Sequence, residues 1–122
     1  MKSNTYKDLI VWQKSCDLSI EIYLITSQLP KDEKFGLSSQ MQRAAISIAS
    51  NIAEGSKRGT KKDFSQFIKI ALGSTAELET QIYILSRLPY SKAIDLRKAE
   101  SLLFEISKML HALSRNLSSS GN

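Results

Sequence analysis

The stretch from Lys61 to Leu88 most constrains the fold. Phe64, Phe67, Ile68, Ala71, Thr75, Leu78, Ile82 and Leu85 recur there at heptad-like spacing. Such a pattern predicts one amphipathic helix of about 28 residues, ~42 Å long at 1.5 Å per residue. A single helix of that length cannot cover its own apolar stripe, so it needs companions of similar length. Thr60 and Asp63 give it a capping-box-like start, and Pro89 stops it.

The remaining chain supplies three companions. A helix over 7–29 is expected, ended by Pro30 and the charged Lys31-Asp32-Glu33-Lys34 turn. It carries two apolar stripes. Leu9, Trp12, Cys16, Ile20 and Tyr23 are read as the bundle-core face. Val11, Leu18, Ile22, Ile25 and Leu29 lie opposite and are expected to form an oligomer interface, because a lone bundle has nothing to cover them. The alternative is a central first helix that buries both stripes.

Residues 37–54 form the expected second helix, with Leu37, Met41, Ala44, Ala45, Ile48 and Ile52 on one arc. Its polar stripe holds Ser39, Gln40, Arg43, Ser47, Ser50, Asn51 and Glu54. Gly55 is expected to take the left-handed position that ends many helices. A fourth helix over 92–117, capped by Ser91, places Leu96, Ala99, Leu103, Ile106, Leu110, Leu113 and Leu117 on one face. Residues 1–6 and the Ser118-to-Asn122 tail are expected to be mobile.

Short connections make consecutive helices antiparallel neighbours. The expected fold is all-α, a single up-down-up-down antiparallel four-helix bundle over 1–122, assembling into a ring-like homo-oligomer. At 122 residues a second independent core has no room. No apolar run approaches a membrane span and no signal segment is visible, so the cytoplasm is the expected compartment. The single Cys16 is assigned to packing.

Chemistry-bearing residues are scarce. His111 is the one histidine, no metal-ligand spacing occurs, and Gly55 and Gly59 lack the Lys-Ser/Thr of a phosphate loop. The expectation is a non-enzyme with no cofactor, metal or small-molecule substrate. Arg43, Asn51, Glu54, Glu77 and Glu79 are read as an interhelical polar network that fixes register, with Arg43 a counter-ion for Glu54. An acid/base pair of carboxylates is the alternative. Lys57, Arg58, Lys61 and Lys62 place four cations within six residues at a helix N-terminus, where exposed N–H groups also favour anions. With a net charge of +5, they are the candidate contacts to nucleic-acid phosphates. No aromatic is interleaved with them.

Several blocks resemble a known family. Tyr6-Lys7-Asp8-Leu9 with Val11-Trp12-Gln13-Lys14, Phe35-Gly36-Leu37 with Gln40-Met41, Arg43-Ala44-Ala45, Ser47-Ile48, Ser50-Asn51-Ile52-Ala53-Glu54-Gly55, Phe64 with Phe67, Ala71-Leu72-Gly73-Ser74 and Glu77-Leu78 are similar to the bacterial 23S ribosomal RNA intervening-sequence proteins. The resemblance implies a small four-helix bundle assembling as a ring-like homopentamer, with a poorly defined role and no established catalytic residues. By fold analogy it extends to the accessory variability protein of diversity-generating retroelements, a basic pentameric barrel that associates with nucleic acid and a reverse transcriptase. Ala49 and Pro89 depart from the family, which often has proline and glycine there. The expected function is RNA or other nucleic-acid binding through a basic face. A protein-interaction scaffold or accessory subunit that never meets nucleic acid is the competing reading.

Overall fold

The computed structural model describes residues 5–119, and these form four α-helices without a strand. They are α1 (Ile10–Thr26), α2 (Leu37–Ser56), α3 (Lys61–Ser86) and α4 (Arg97–Ser119), with one-turn 3-10 segments at Tyr6–Asp8, Lys31–Glu33 and Pro89–Ala93. Each helix packs on its sequence neighbours and α4 closes against α1, while the diagonal pairs do not meet. Two observations fix the directions. The Tyr90 hydroxyl reaches Glu33, so the α1–α2 and α3–α4 connections share one end. Lys7 and Lys57 line a common cleft, which puts the chain start beside the α2–α3 turn at the other.

The core corrects the reading of α1. Val11, Leu18, Ile22, Ile25 and Leu29, expected as an oligomer interface, are buried inside the bundle's own core. The face expected to be core is divided: Ile20 is 62% exposed and Tyr23 48%, Cys16 is half-buried, and Leu9 and Trp12 pack half-buried against the edge of the core. Adding Ser15 explains the choice. Val11, Ser15, Leu18, Ile22, Ile25 and Leu29 follow one another at four, three, four, three and four, the spacing of an interhelical seam. A serine enters that seam at little cost because its Oγ donates to the Val11 carbonyl at 2.6 Å. Burial, and to a lesser degree the Asp17 charge, push the Cys16 thiol up, which suits packing rather than reactivity.

Met41, Ile48 and Ile52 of α2, Ile68, Leu78 and Leu85 of α3, and Ile106 and Leu110 of α4 complete that core, all fully buried. Their side chains come from the apolar arcs expected for these helices.

The helix ends differ from expectation in several places, α1 running over Ile10–Thr26 instead of 7–29 and α3 ending at Ser86 instead of Leu88. Gly55 lies inside α2, and its role is close approach: a Cβ there would sit 2.6 Å from the Phe67 Cβ and 3.0 Å from Phe64 Cδ1. The left-handed turn falls on Gly59, with φ 94°. α4 starts at Arg97, not near 92, because Pro89 opens a 3-10 turn and the chain is extended at Ile94. Ser91 therefore caps nothing and donates to the Ser86 carbonyl. Asp95 accepts from the Arg97 amide at 3.0 Å, and the Arg97 guanidinium holds its carboxyl well below the usual range. α4 runs to Ser119, which takes in part of the expected tail; residues 1–4 and 120–122 lie outside the described residues. Thr5, within the stretch expected to fray, caps the Tyr6–Asp8 turn by accepting from the Lys7 amide.

Candidate functional site

Lys57 and Arg58 follow the end of α2 and Lys61 and Lys62 open α3, all exposed around the turn that joins the two helices. Thr60 Oγ1 accepts from the Asp63 amide at 3.1 Å and sets the start of α3, whose first-turn N–H groups share this end. The four cations are not equivalent. Arg58 pairs with Glu54 at 2.8 Å and lies 4.8 Å from the centre of the Phe67 ring, so its charge is partly neutralised and its position held. Lys7 joins them across a cleft of about 370 Å³ lined by Thr5, Tyr6, Lys7, Ser56 and Lys57. The carboxylates at this end are Asp8, Glu54 and Asp63. Among the described residues of these segments five cations stand beside three carboxylates, with Glu54 paired to Arg58, which leaves an excess of positive charge.

A second polar feature runs along the seam of α2 and α3. Ser47 Oγ and Ser74 Oγ lie 2.8 Å apart across it, either hydroxyl able to donate. Asn51 Nδ2 donates to the Ser47 carbonyl at 2.8 Å and to Ser47 Oγ at 3.0 Å. One turn along, the seam opens into a groove of about 290 Å³ lined by Gln40, Arg43, Ala44, Ser47, Glu77 and Gln81. Gln81 is only 8% exposed, and its Oε1 is buried without a hydrogen-bond partner among the described residues.

The expected five-residue network is thus divided. Arg43 and Glu77 line the same groove without pairing, and Asn51 joins the serine pair beside it. Glu54 turns to Arg58, four residues on along the same helix, instead of to Arg43. Glu79 faces the opposite seam, where it lines a cleft with Tyr83, Glu100 and Phe104. Two residues along a helix rotate a side chain by about 200°, so Glu77 and Glu79 cannot share a seam.

Ser47, Ser74 and Gln81 are not among the residues expected in that network. A signal for them exists: Gln40, Ala44, Ser47 and Asn51 repeat at four, three and four on α2, and Ser74 and Gln81 are seven apart on α3. That is a seam pattern written in small and polar residues. Among the described residues no group of three or more His, Cys, Asp or Glu could hold a metal ion, and His111 is exposed. Among the described residues no helix is long and apolar enough to cross a membrane.

Comparison with known proteins gives two findings. The family model described as 23S rRNA-intervening sequence protein matches residues 7–112. A crystal structure of a protein with unknown function from the S23 ribosomal protein family of Bacteroides thetaiotaomicron VPI-5482 is similar over 86% of this chain and 98% of that chain, with a TM-score of 0.73 and 28% identity. No protein of curated function matches.

Proposed function

Since the chain belongs to the 23S rRNA-intervening sequence protein family, we propose that it is a non-enzymatic, homo-oligomeric bundle protein that binds RNA through the phosphate backbone. One observation carries this reading: Lys7, Lys57, Arg58, Lys61 and Lys62 gather at one end of the bundle, around the N-terminus of α3. Contacts of this kind hold phosphates without reading bases, so the binding is salt-dependent and broadly tolerant of sequence. The test is a salt titration of affinity for a short single-stranded RNA, with the cluster lysines changed to glutamine.

The oligomeric part of the proposal rests on apolar side chains that the bundle leaves outside. With the Val11-to-Leu29 stripe committed to the core, the outward residues of α1 take its place: Ile20, Tyr23 and Leu24, with Leu102 of α4 beside them. A ring of subunits, five by the family resemblance, would repeat the basic end around one axis and multiply its field.

A cleft of about 330 Å³ between α3 and α4, flanked by exposed Tyr83 and Phe104, favours a second reading. It is that of a protein-interaction scaffold or accessory subunit, which predicts assembly without salt-dependent RNA affinity.

A further inference from the structure

We propose that the cleft between α3 and α4 of one copy receives the outward apolar ridge of α1 and α4 of the next, so that the homo-oligomer is built head to tail from two different faces. The inference rests on the homo-oligomeric reading above and adds to it the receiving surface and the closure of the ring.

The two faces lie on opposite flanks of one helix. Leu103 of α4 belongs to the core at 3% exposure, and its neighbours Leu102 and Phe104 stand about 100° to either side of it. Leu102 lies on the α1 flank, in a cleft of about 270 Å³ with Ile20 and Leu24, and Phe104 on the α3 flank, in the 330 Å³ cleft with Ile82 and Tyr83. Ile20, Leu24, Tyr83 and Phe104 are each more than half exposed, so a subunit on its own leaves both faces in water. One self-complementary face makes a two-fold dimer, whereas two unlike faces make a head-to-tail chain.

Charge makes the unlike faces partners. The α3–α4 cleft holds Glu79 and Glu100, which make no ion pair among the described residues. Its rims carry Arg87, donating to the Tyr83 hydroxyl at 3.0 Å, and Lys108, 5.3 Å from the centre of the Phe104 ring. The α1–α4 face carries the reverse set: Asp17 without an ion pair among the described residues, and Lys98, paired among them with Glu21 alone at 4.0 Å. Docked together, Lys98 meets the cleft carboxylates and Asp17 a rim cation. Two clefts facing each other would instead bring four carboxylates together, which like-charge repulsion opposes. Closure follows from position. Leu102 and Phe104 differ by only about 3 Å along α4, so the faces stand at one height and successive copies do not climb into a filament. Neighbouring seams of a square bundle face about 90° apart, and within the ~20° scatter of helix packing such a turn closes after about four to five copies.

The experiment mixes two variants that each lack one face. Ile20→Lys with Leu24→Lys keeps the cleft, and Tyr83→Lys with Phe104→Lys keeps the ridge; all four side chains are exposed within a subunit, and circular dichroism checks that both variants stay folded. Sedimentation of each variant alone should give a monomer, a loss of mass of roughly four- to fivefold from the parent. Their equimolar mixture should give a one-to-one dimer of twice the monomer mass, because one ridge and one cleft remain. A second measurement covers weak pairing: in a Cys16→Ala background, Ile20→Cys and Phe104→Cys should not cross-link alone under mild oxidation, but should form a disulfide dimer when mixed. A mixture that stays monomeric and uncrosslinked overturns the proposal. So does an oligomeric parent whose assembly survives Tyr83→Lys with Phe104→Lys, an outcome that leaves the homo-oligomeric reading standing and returns the cleft to a different partner. A monomeric parent overturns both.

Discussion

The Tyr90 hydroxyl donates a 2.7 Å hydrogen bond to Glu33 Oε2, tying the α3–α4 connection to the α1–α2 connection. Glu33 Oε1 also accepts, at 3.4 Å, from the Leu37 amide at the start of α2. One carboxylate thus orders both connections at that end. Tyr90→Phe should lower unfolding stability by about 1 kcal/mol, the usual worth of such a bond at a half-buried site. Urea denaturation at neutral pH checks this. The same bond gives an alkaline signature, since burial, the hydrogen bond and the Glu33 charge push the Tyr90 hydroxyl up to about 12. The unfolded chain loses this proton near pH 10 and the folded chain later, so its contribution is intact below about pH 10 and declines toward pH 12. Tyr90→Phe should flatten that decline.

Two glycines in helices should respond oppositely to alanine. At Gly55 the new methyl meets Phe67 at 2.6 Å and Phe64 at 3.0 Å, across two helices that cannot part cheaply. Gly55→Ala should cost about 1–3 kcal/mol despite alanine's better helix propensity. At Gly73 a Cβ meets nothing within 4 Å, so Gly73→Ala should stabilise by up to about 1 kcal/mol. Thermal unfolding of the two variants beside the parent separates them.

The two stripes of α1 give a third test. Ile22→Ala empties a fully buried site and should cost about 2–5 kcal/mol. Ile20→Ala, at a position 62% exposed, should change the stability of an isolated subunit by less than about 0.5 kcal/mol. Denaturant titrations at low protein concentration measure both. If Ile20→Ala proved the costlier change, the faces of α1 would be assigned the wrong way round.

These residues show how far the fold was legible in the sequence. Four apolar periodicities, broken near Pro30, Gly59 and Pro89, specify four helices and their order, and three of the four core faces follow from them. The face of α1 did not follow, because both sides are apolar and Ser15 interrupts the true seam; a buried hydroxyl bonded to its own helix is invisible to a count of apolar residues. Gly55 and Gly59 are alike in sequence, and only the proximity of Phe64 and Phe67 shows which one packs and which one turns. The basic end was legible because its charges are nearly consecutive. The α2–α3 groove was legible only in part, since Arg43 and Glu77 are conspicuous but Ser74 and Gln81 acquire meaning from the register of two helices.

Outward apolar residues on α1 make assembly the fourth expectation. Light scattering at micromolar concentration should report an oligomer, and Ile20→Lys with Leu24→Lys should yield a folded monomer, because both side chains already face solvent within one subunit. A monomeric parent would contradict it.

The central claim, phosphate binding at the basic end, is tested most directly by the salt dependence of RNA affinity in a Lys57→Gln, Lys61→Gln, Lys62→Gln variant that keeps the Arg58–Glu54 pair intact. The parent should show a linear fall of log K with log salt. The variant should bind more weakly, with a slope shallower by roughly 2 to 3, since each phosphate no longer neutralised removes about 0.7–0.9 from it. An unchanged affinity and slope in that variant, or a parent without salt-dependent binding, would contradict the account.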